Sequence, residues 1–109
     1  MVRSLELGVV ASLERTSTIA DGLNARTAGS MTYPLIRDLA GGVTRVTDEE
    51  LLAAGRLLLE KERMVAEPAG LAGLALLVAM GEHRPRRSVV VLSGANISDA
   101  MFEEMFGKR

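Results

Sequence analysis

The longest β-branched apolar stretch of the sequence lies near its C-terminus, where residues 88–92 read Ser-Val-Val-Val-Leu. Such a run predicts a strand that is buried on both faces, as in parallel sheets with helices on either side. A hydroxyl, a glycine and an amide follow immediately, at Ser93, Gly94 and Asn96, with Ala95 between them. Because ligands of open parallel α/β sheets bind beyond the carboxyl ends of the strands, this pattern predicts a small-molecule site here.

Two helices are predicted in the middle of the chain. The sequence Thr47-Asp-Glu-Glu50 is a capping box, in which the threonine hydroxyl accepts from a backbone amide and the last glutamate reaches back. Pro68 opens a second helix that extends to about Met80, with Gly81 as its C-terminal stop. This second helix is apolar around its whole circumference, so we predict that it is buried.

The other elements give weaker patterns. Apolar residues recur at helical spacing over residues 1–15, which predicts a short N-terminal helix or a severed connector. Residues 16–29 have no clear period and predict an ordered loop. The remaining predictions are a helix from Thr32 that ends at Gly41-Gly42, a short strand at 43–46, and an amphipathic helix capped by Ser98 or Asp99.

Composition excludes several classes of protein. The 13 basic and 14 acidic residues give a net charge of −1, without the basic excess that a nucleic-acid binder needs. The sequence has no cysteine and one histidine, which excludes a disulfide scaffold and a thiolate metal site. We also find no signal peptide pattern and no apolar run that could span a bilayer. We therefore expect a soluble, cytoplasmic protein with no metal, no nucleic acid and no membrane partner.

Glu67 is an acid beside a helix that is predicted to be interior. One interpretation is that its carboxylate caps the helix, where the macrodipole stabilises a negative charge by about 0.3–1 kcal/mol. The other is a role in a binding site. The residue pattern gives the two interpretations about equal weight.

Three separated stretches together indicate a family. The sequences Thr18-Ile-Ala-Asp-Gly22, Glu67-Pro-Ala-Gly70 and Leu92-Ser-Gly-Ala-Asn96 resemble, in this order and spacing, the C-terminal part of threonine/serine dehydratases. Those enzymes belong to the tryptophan-synthase-β-like, fold type II group of pyridoxal-phosphate enzymes. The resemblance runs from about Thr16 to Asn96, and three motifs in register are far more specific than one.

The resemblance implies cofactor-binding roles for five residues. It assigns to Ser93 the hydroxyl that hydrogen-bonds the pyridine nitrogen of pyridoxal 5'-phosphate, and to Gly94 the close backbone approach. Glu67 matches the acid beside the cofactor ring, and Asp21 and Gly22 match a loop that borders the active-site cleft. A neutral hydroxyl does not hold the ring nitrogen protonated, so it limits the electron sink and suits β-elimination.

The catalytic lysine of the family has no counterpart in this sequence. Only Lys61, in a charged helix, and Lys108, at the penultimate position, are present, and neither has the matching context. The glycine-rich loop that cradles the cofactor phosphate is also absent, because Gly41-Gly42 is a helix stop without a run of glycines. We therefore predict no catalytic residue in this chain.

The expected fold class is α/β, a partial three-layer sandwich with short parallel strands and flanking helices. It corresponds to the C-terminal portion of a fold type II enzyme over residues 16–109, preceded by the helix or connector at 1–15. One functional hypothesis is a split portion of a dehydratase that deaminates a small hydroxy amino acid to a 2-oxo acid and is inactive alone. The alternative is a degenerate, non-catalytic remnant that acts as a binding or interaction module. The expected partner is a missing N-terminal lobe or a second copy in a homo-oligomer.

Overall fold

The computed structural model describes residues 1–94 and 96–107 and divides the chain into two compact units. One unit consists of Met1–Thr18 and Gly22–Arg45, and the other of Ile19–Asp21 and the chain from Val46 onward. Within the described ranges, no helix combines the length and the apolar composition needed to cross a membrane.

The first unit contains two short helices, α1 at Val2–Leu7 and α2 at Thr32–Leu39. The predicted N-terminal helix is therefore shorter than residues 1–15, because Gly8 ends α1 in a left-handed conformation with φ of 72°. Helix α2 begins at Thr32 as predicted, but the Thr32 hydroxyl does not cap it and donates instead to the Gly29 carbonyl at 3.2 Å. Between the helices, an isolated antiparallel bridge joins Ser12 to Thr27.

Helix α3, at Asp48–Glu62, begins the longer part of the second unit. Its capping box is confirmed: the Glu50 amide donates to the Thr47 hydroxyl at 3.2 Å, and the Thr47 amide donates to the Glu50 carboxylate at 2.7 Å. These two bonds satisfy backbone donors that a helix start otherwise leaves without partners.

The next predicted helix begins as a 3₁₀ turn, Pro68–Leu71, and continues as α4, Ala72–Met80, with Gly81 at its end. Its boundaries agree with the prediction, but the expectation that it is wholly buried is wrong. Ala75 is the buried residue of α4, whereas Val78 is 41% exposed. The unit covers one side of this apolar helix and leaves the other side open. The last helix, α5, is Asp99–Phe106, and the Ser98 hydroxyl caps it by accepting from the Met101 amide at 3.2 Å.

The core of the second unit forms where α3, α4 and α5 meet. Gly55 of α3 allows close packing, since a Cβ there would lie 3.1 Å from Leu71 and would also overlap Met105. The Arg56 guanidinium donates to the Met105 carbonyl at 2.9 Å and so ties α3 to α5. The buried hydrophobic residues of this core are Ala20, Leu51, Ala54, Leu58, Ala66, Leu71, Ala75 and Met105.

The predicted strands at 43–46 and 88–92 are wrong for this chain by itself, because neither pairs with a strand among the described residues. Val90 does pack on α4, with its Cγ1 2.9 Å from where a Cβ of Gly73 would lie. In contrast, Val89 is 98% exposed and Val91 is 81% exposed. A strand satisfies its backbone donors and acceptors only through a neighbouring strand, and the described chain provides none. The sandwich therefore stays a prediction, and the described fold is mainly helical.

Candidate functional site

The motifs around Glu67 and Gly94 are in direct contact. The Glu67 amide donates to the Gly94 carbonyl at 2.7 Å. Gly94 has φ of +69°, in the left-handed region that favours glycine. A Cβ at Gly94 would overlap the Glu67 side chain, including its carboxyl carbon and one oxygen. Gly94 has no side chain, and the half-buried Glu67 side chain occupies the space that a side chain there would take.

A second close contact joins the same two motifs. Gly70, which is buried, lies directly against the backbone of Ser93. A Cβ at Gly70 would lie 2.8 Å from the Ser93 carbonyl carbon and 3.0 Å from its nitrogen, and it would overlap the carbonyl oxygen. Backbone atoms cannot move aside as a flexible side-chain end can, so position 70 requires glycine for this approach.

The two contacts leave the Ser93 side chain available. Ser93 is exposed, and its hydroxyl makes no hydrogen bond within residues 1–94 and 96–107. Asn96, two positions beyond Gly94, is also exposed, while Ala95 lies outside the described residues. The described residues thus present one exposed hydroxyl without a hydrogen bond, on a backbone segment held by the contacts of Gly70 and Glu67.

The capping interpretation of Glu67 is only partly met. Glu67 is the N-cap residue of the 3₁₀ turn Pro68–Leu71, but its carboxylate makes no side-chain capping hydrogen bond. The Gly70 amide instead donates to the Glu67 backbone carbonyl at 2.9 Å. The geometry favours an interpretation in which the carboxylate is held against Gly94 rather than over the helix end.

Asp21 and Gly22 occupy the exposed 3₁₀ turn Asp21–Leu23. The segment leading into it is fixed to α3, because the Ile19 amide donates to an Asp48 carboxylate oxygen at 3.2 Å and Ala20 is buried in the core. No hydrogen bond in the described part of the chain links Asp21 to Glu67 or Ser93. The structure thus brings together Glu67, Gly94 and Ser93, and it does not bring Asp21 into their hydrogen-bond network.

Lys61 does not have the surroundings of a nucleophilic lysine. Its side chain is 62% exposed and forms an ion pair with Glu60 at 2.7 Å. The hydrogen bond and the negative charge of Glu60 raise the pKa of Lys61 above its ordinary value. A lysine that attacks a carbonyl at neutral pH needs a lowered pKa, so Lys61 is unsuited to this role. Lys108 lies outside the described residues.

Gly70 is the residue of this cluster whose role sequence reasoning misses. In the sequence it is only the last member of a motif, and its small size is explained equally well by a helix surface. The signal that could have found it is the pairing of two glycine-containing turns, one after each predicted site residue. Close backbone approach between two such turns is a standard reason for glycine.

The Ser93 hydroxyl has the chemistry to donate a hydrogen bond to the nitrogen of an aromatic heterocycle. The two glycine contacts hold the backbone of Ser93 and Gly94 against the motif that contains Glu67. The Glu67 carboxylate lies against Gly94, the residue that follows Ser93. The described residues supply neither a suitable lysine nor a glycine-rich phosphate cradle.

Comparison with known proteins identifies relatives of the chain. The family profile described as "Pyridoxal-phosphate dependent enzyme" matches residues 1–94. The L-threo-3-hydroxyaspartate ammonia-lyase of Pseudomonas sp is 32% identical over 96 residues, covering 87% of this chain and 30% of that protein. The L-threonine ammonia-lyase of Geobacter sulfurreducens is 39% identical over 95 residues, covering 86% of this chain and 24% of that protein.

Solved structures agree with this result. The T.th. threonine deaminase superposes with a TM-score of 0.82 and 37% identity, covering 88% of this chain and 33% of that one. The serine racemase of Dictyostelium discoideum superposes with a TM-score of 0.71 and 32% identity, covering 88% and 31%. This chain thus spans between 24% and 33% of the length of these relatives.

Proposed function

The chain belongs to the family of pyridoxal-phosphate dependent enzymes, and from this premise we propose that it is one portion of an ammonia-lyase. In the complete enzyme, a small hydroxy amino acid such as threonine or serine would lose its β-hydroxyl as water. Hydrolysis would then release a 2-oxo acid and ammonia. The names of two relatives support this reaction class, since they are an L-threo-3-hydroxyaspartate ammonia-lyase and an L-threonine ammonia-lyase.

We propose that residues 16–109 correspond to the C-terminal part of such an enzyme and that residues 1–15, which contain α1, form a helix or connector before it. The portion would contribute the side of the site that faces the cofactor ring. The observation that supports this role is the exposed Ser93 hydroxyl, which makes no hydrogen bond within residues 1–94 and 96–107 and lies on a segment held by Gly70 and Glu67.

When bound, pyridoxal phosphate supplies an electron sink for the bond changes at the substrate's α-carbon. The Ser93 hydroxyl would donate a hydrogen bond to the pyridine nitrogen and leave that nitrogen without a proton. Glu67 and Gly94 would hold the ring edge in place through the turn that they form with Ser93. Asp21 and Gly22 would border the cleft through which the substrate enters. The lysine and the phosphate cradle would come from the remaining part of the enzyme, so we expect the isolated chain to be inactive.

The test is a chimera in which this chain replaces the matched region of the Geobacter sulfurreducens L-threonine ammonia-lyase. We expect the chimera to release ammonia and a 2-oxo acid from threonine or serine, and we expect the isolated chain to release neither. Ser93→Ala in the chimera should weaken cofactor affinity by about 0.5–1.5 kcal/mol, the net contribution of one hydrogen bond. Ser88→Ala is the matched control, since Ser88 is also exposed but donates to the Pro85 carbonyl, and it should change nothing.

A second candidate function, a non-catalytic binding or interaction module, is favoured by one observation. Val89 and Val91 are largely exposed, as in a surface that contacts another polypeptide. A chimera that folds but neither binds the cofactor nor releases ammonia would support this candidate over the lyase.

A further inference from the structure

The two site motifs contact each other reciprocally. Gly70, from the first motif, lies against the backbone of Ser93 in the second, and Gly94, from the second motif, lies against the side chain of Glu67 in the first. The hydrogen bond from the Glu67 amide to the Gly94 carbonyl joins the same pair of turns. Each glycine therefore lies against a residue of the other motif to which we assign a role in the proposed site.

We propose that Gly70 and Gly94 are positioning residues that lock the two turns together and fix the Ser93 hydroxyl beside the Glu67 carboxylate. This inference rests on the proposed function and adds to it the elements that set the site's geometry. A hydrogen bond to a ring nitrogen depends on where the hydroxyl oxygen lies, and a turn in open solvent does not hold such a position by itself.

The two contacts differ in kind, and the difference gives a specific test. The three nearest atoms that a Cβ at Gly94 would meet are Glu67 side-chain atoms beyond Cβ, so Glu67→Ala removes all three. The three nearest atoms that a Cβ at Gly70 would meet are the Ser93 carbonyl oxygen, carbonyl carbon and nitrogen. Shortening the Ser93 side chain leaves those backbone atoms in place.

The contact between the two motifs can be measured on the intact chain without any cofactor. The readout is hydrogen exchange of the residue 67 amide, which reports the bond to the Gly94 carbonyl. We expect Gly70→Ala and Gly94→Ala each to accelerate this exchange about tenfold or more while the amides of α3 stay protected. Gly42→Ala is the matched control, since a Cβ there meets nothing within 4 Å, and it should leave the exchange unchanged.

A second substitution distinguishes the loss of this contact from a general loss of structure, because only the specific contact depends on the residue that is changed. In a Glu67→Ala background, Gly94→Ala should cost the residue 67 amide much less protection from exchange than it does in the wild-type chain. The loss that remains reflects the left-handed backbone at Gly94. Gly70→Ala should show no recovery in a Ser93→Ala background. Equal rescue in both backgrounds, or in neither, would overturn the inference.

The positioning role is then tested in the chimera described above. We expect Gly70→Ala to weaken cofactor affinity by about two- to tenfold, the equivalent of one misplaced hydrogen bond. Leu58→Ala is the control for stability, because Leu58 is buried in the core and absent from the cluster, and it should leave the affinity unchanged. If Gly70→Ala and Leu58→Ala weaken affinity equally, Gly70 is not a positioning residue. If the unsubstituted chimera binds no cofactor, the proposed function fails. The exchange experiment still decides whether Gly70 and Gly94 hold the two motifs together.

Discussion

The core formed by α3, α4 and α5 and the segment 88–92 are both strongly apolar, yet they differ in burial. Leu71 and Met105 are fully buried, whereas Val89 is 98% exposed and Val91 is 81% exposed. A helix satisfies its backbone hydrogen bonds internally and needs only a neighbour for its apolar face. A strand needs a neighbouring backbone as well. Among the described residues, the helices thus pack into a core while the apolar segment 88–92 pairs with no strand.

The largest expected effect that tests this contrast is at Leu71. Leu71→Ala should lower the free energy of unfolding by about 2–5 kcal/mol, because it removes a buried side chain and leaves a cavity. Val89→Ala should lower it by less than about 0.5 kcal/mol, since the side chain is exposed. Urea denaturation of the two variants gives both values. A loss at Val89 as large as that at Leu71 would show that the segment is buried in solution.

The next effect concerns association rather than folding. Because Val89 and Val91 are exposed on a segment that pairs with no strand in residues 1–94 and 96–107, we expect the chain to self-associate through it. Val91→Lys should weaken association by about tenfold or more, since burying one valine contributes about 1.5–3 kcal/mol. Sedimentation over a range of concentrations measures this effect, with Leu23→Lys as a control at an exposed leucine in the other unit. A wild-type chain that stays monomeric throughout would contradict the expectation.

The contrast also explains which structural predictions succeeded. The start of α3 was predictable because Thr47 and Glu50 form their bonds within four residues of sequence. The caps at Ser98 and Gly81 were predictable for the same reason. The prediction of a strand at 88–92 failed, because strand pairing depends on residues far away in sequence or on another chain. Hydrophobic pattern alone does not reveal whether such a partner is present.

The candidate site shows the same limit. The motifs that contain Glu67, Gly94 and Ser93 were recognisable from sequence, and the structure places them together. The contact between Gly70 and Ser93 was not foreseen, because residues so far apart in sequence meet only after the chain folds. The five cofactor-binding assignments, at Asp21, Gly22, Glu67, Ser93 and Gly94, stay predictions.

A smaller effect than that at Leu71 is expected at Thr47, and it tests whether the two regions are energetically separate. Thr47→Ala should lower the free energy of unfolding by about 1 kcal/mol, because the Glu50 amide at the start of α3 loses its acceptor. Thr47→Ser keeps the hydroxyl and should recover most of the loss. Since the capping bonds are local to α3, neither variant should change self-association through residues 88–92. Measuring denaturation and sedimentation on both variants therefore separates the regions: a change in association that follows the loss of the cap would mean that the apolar segment depends on the helical core for its exposed conformation.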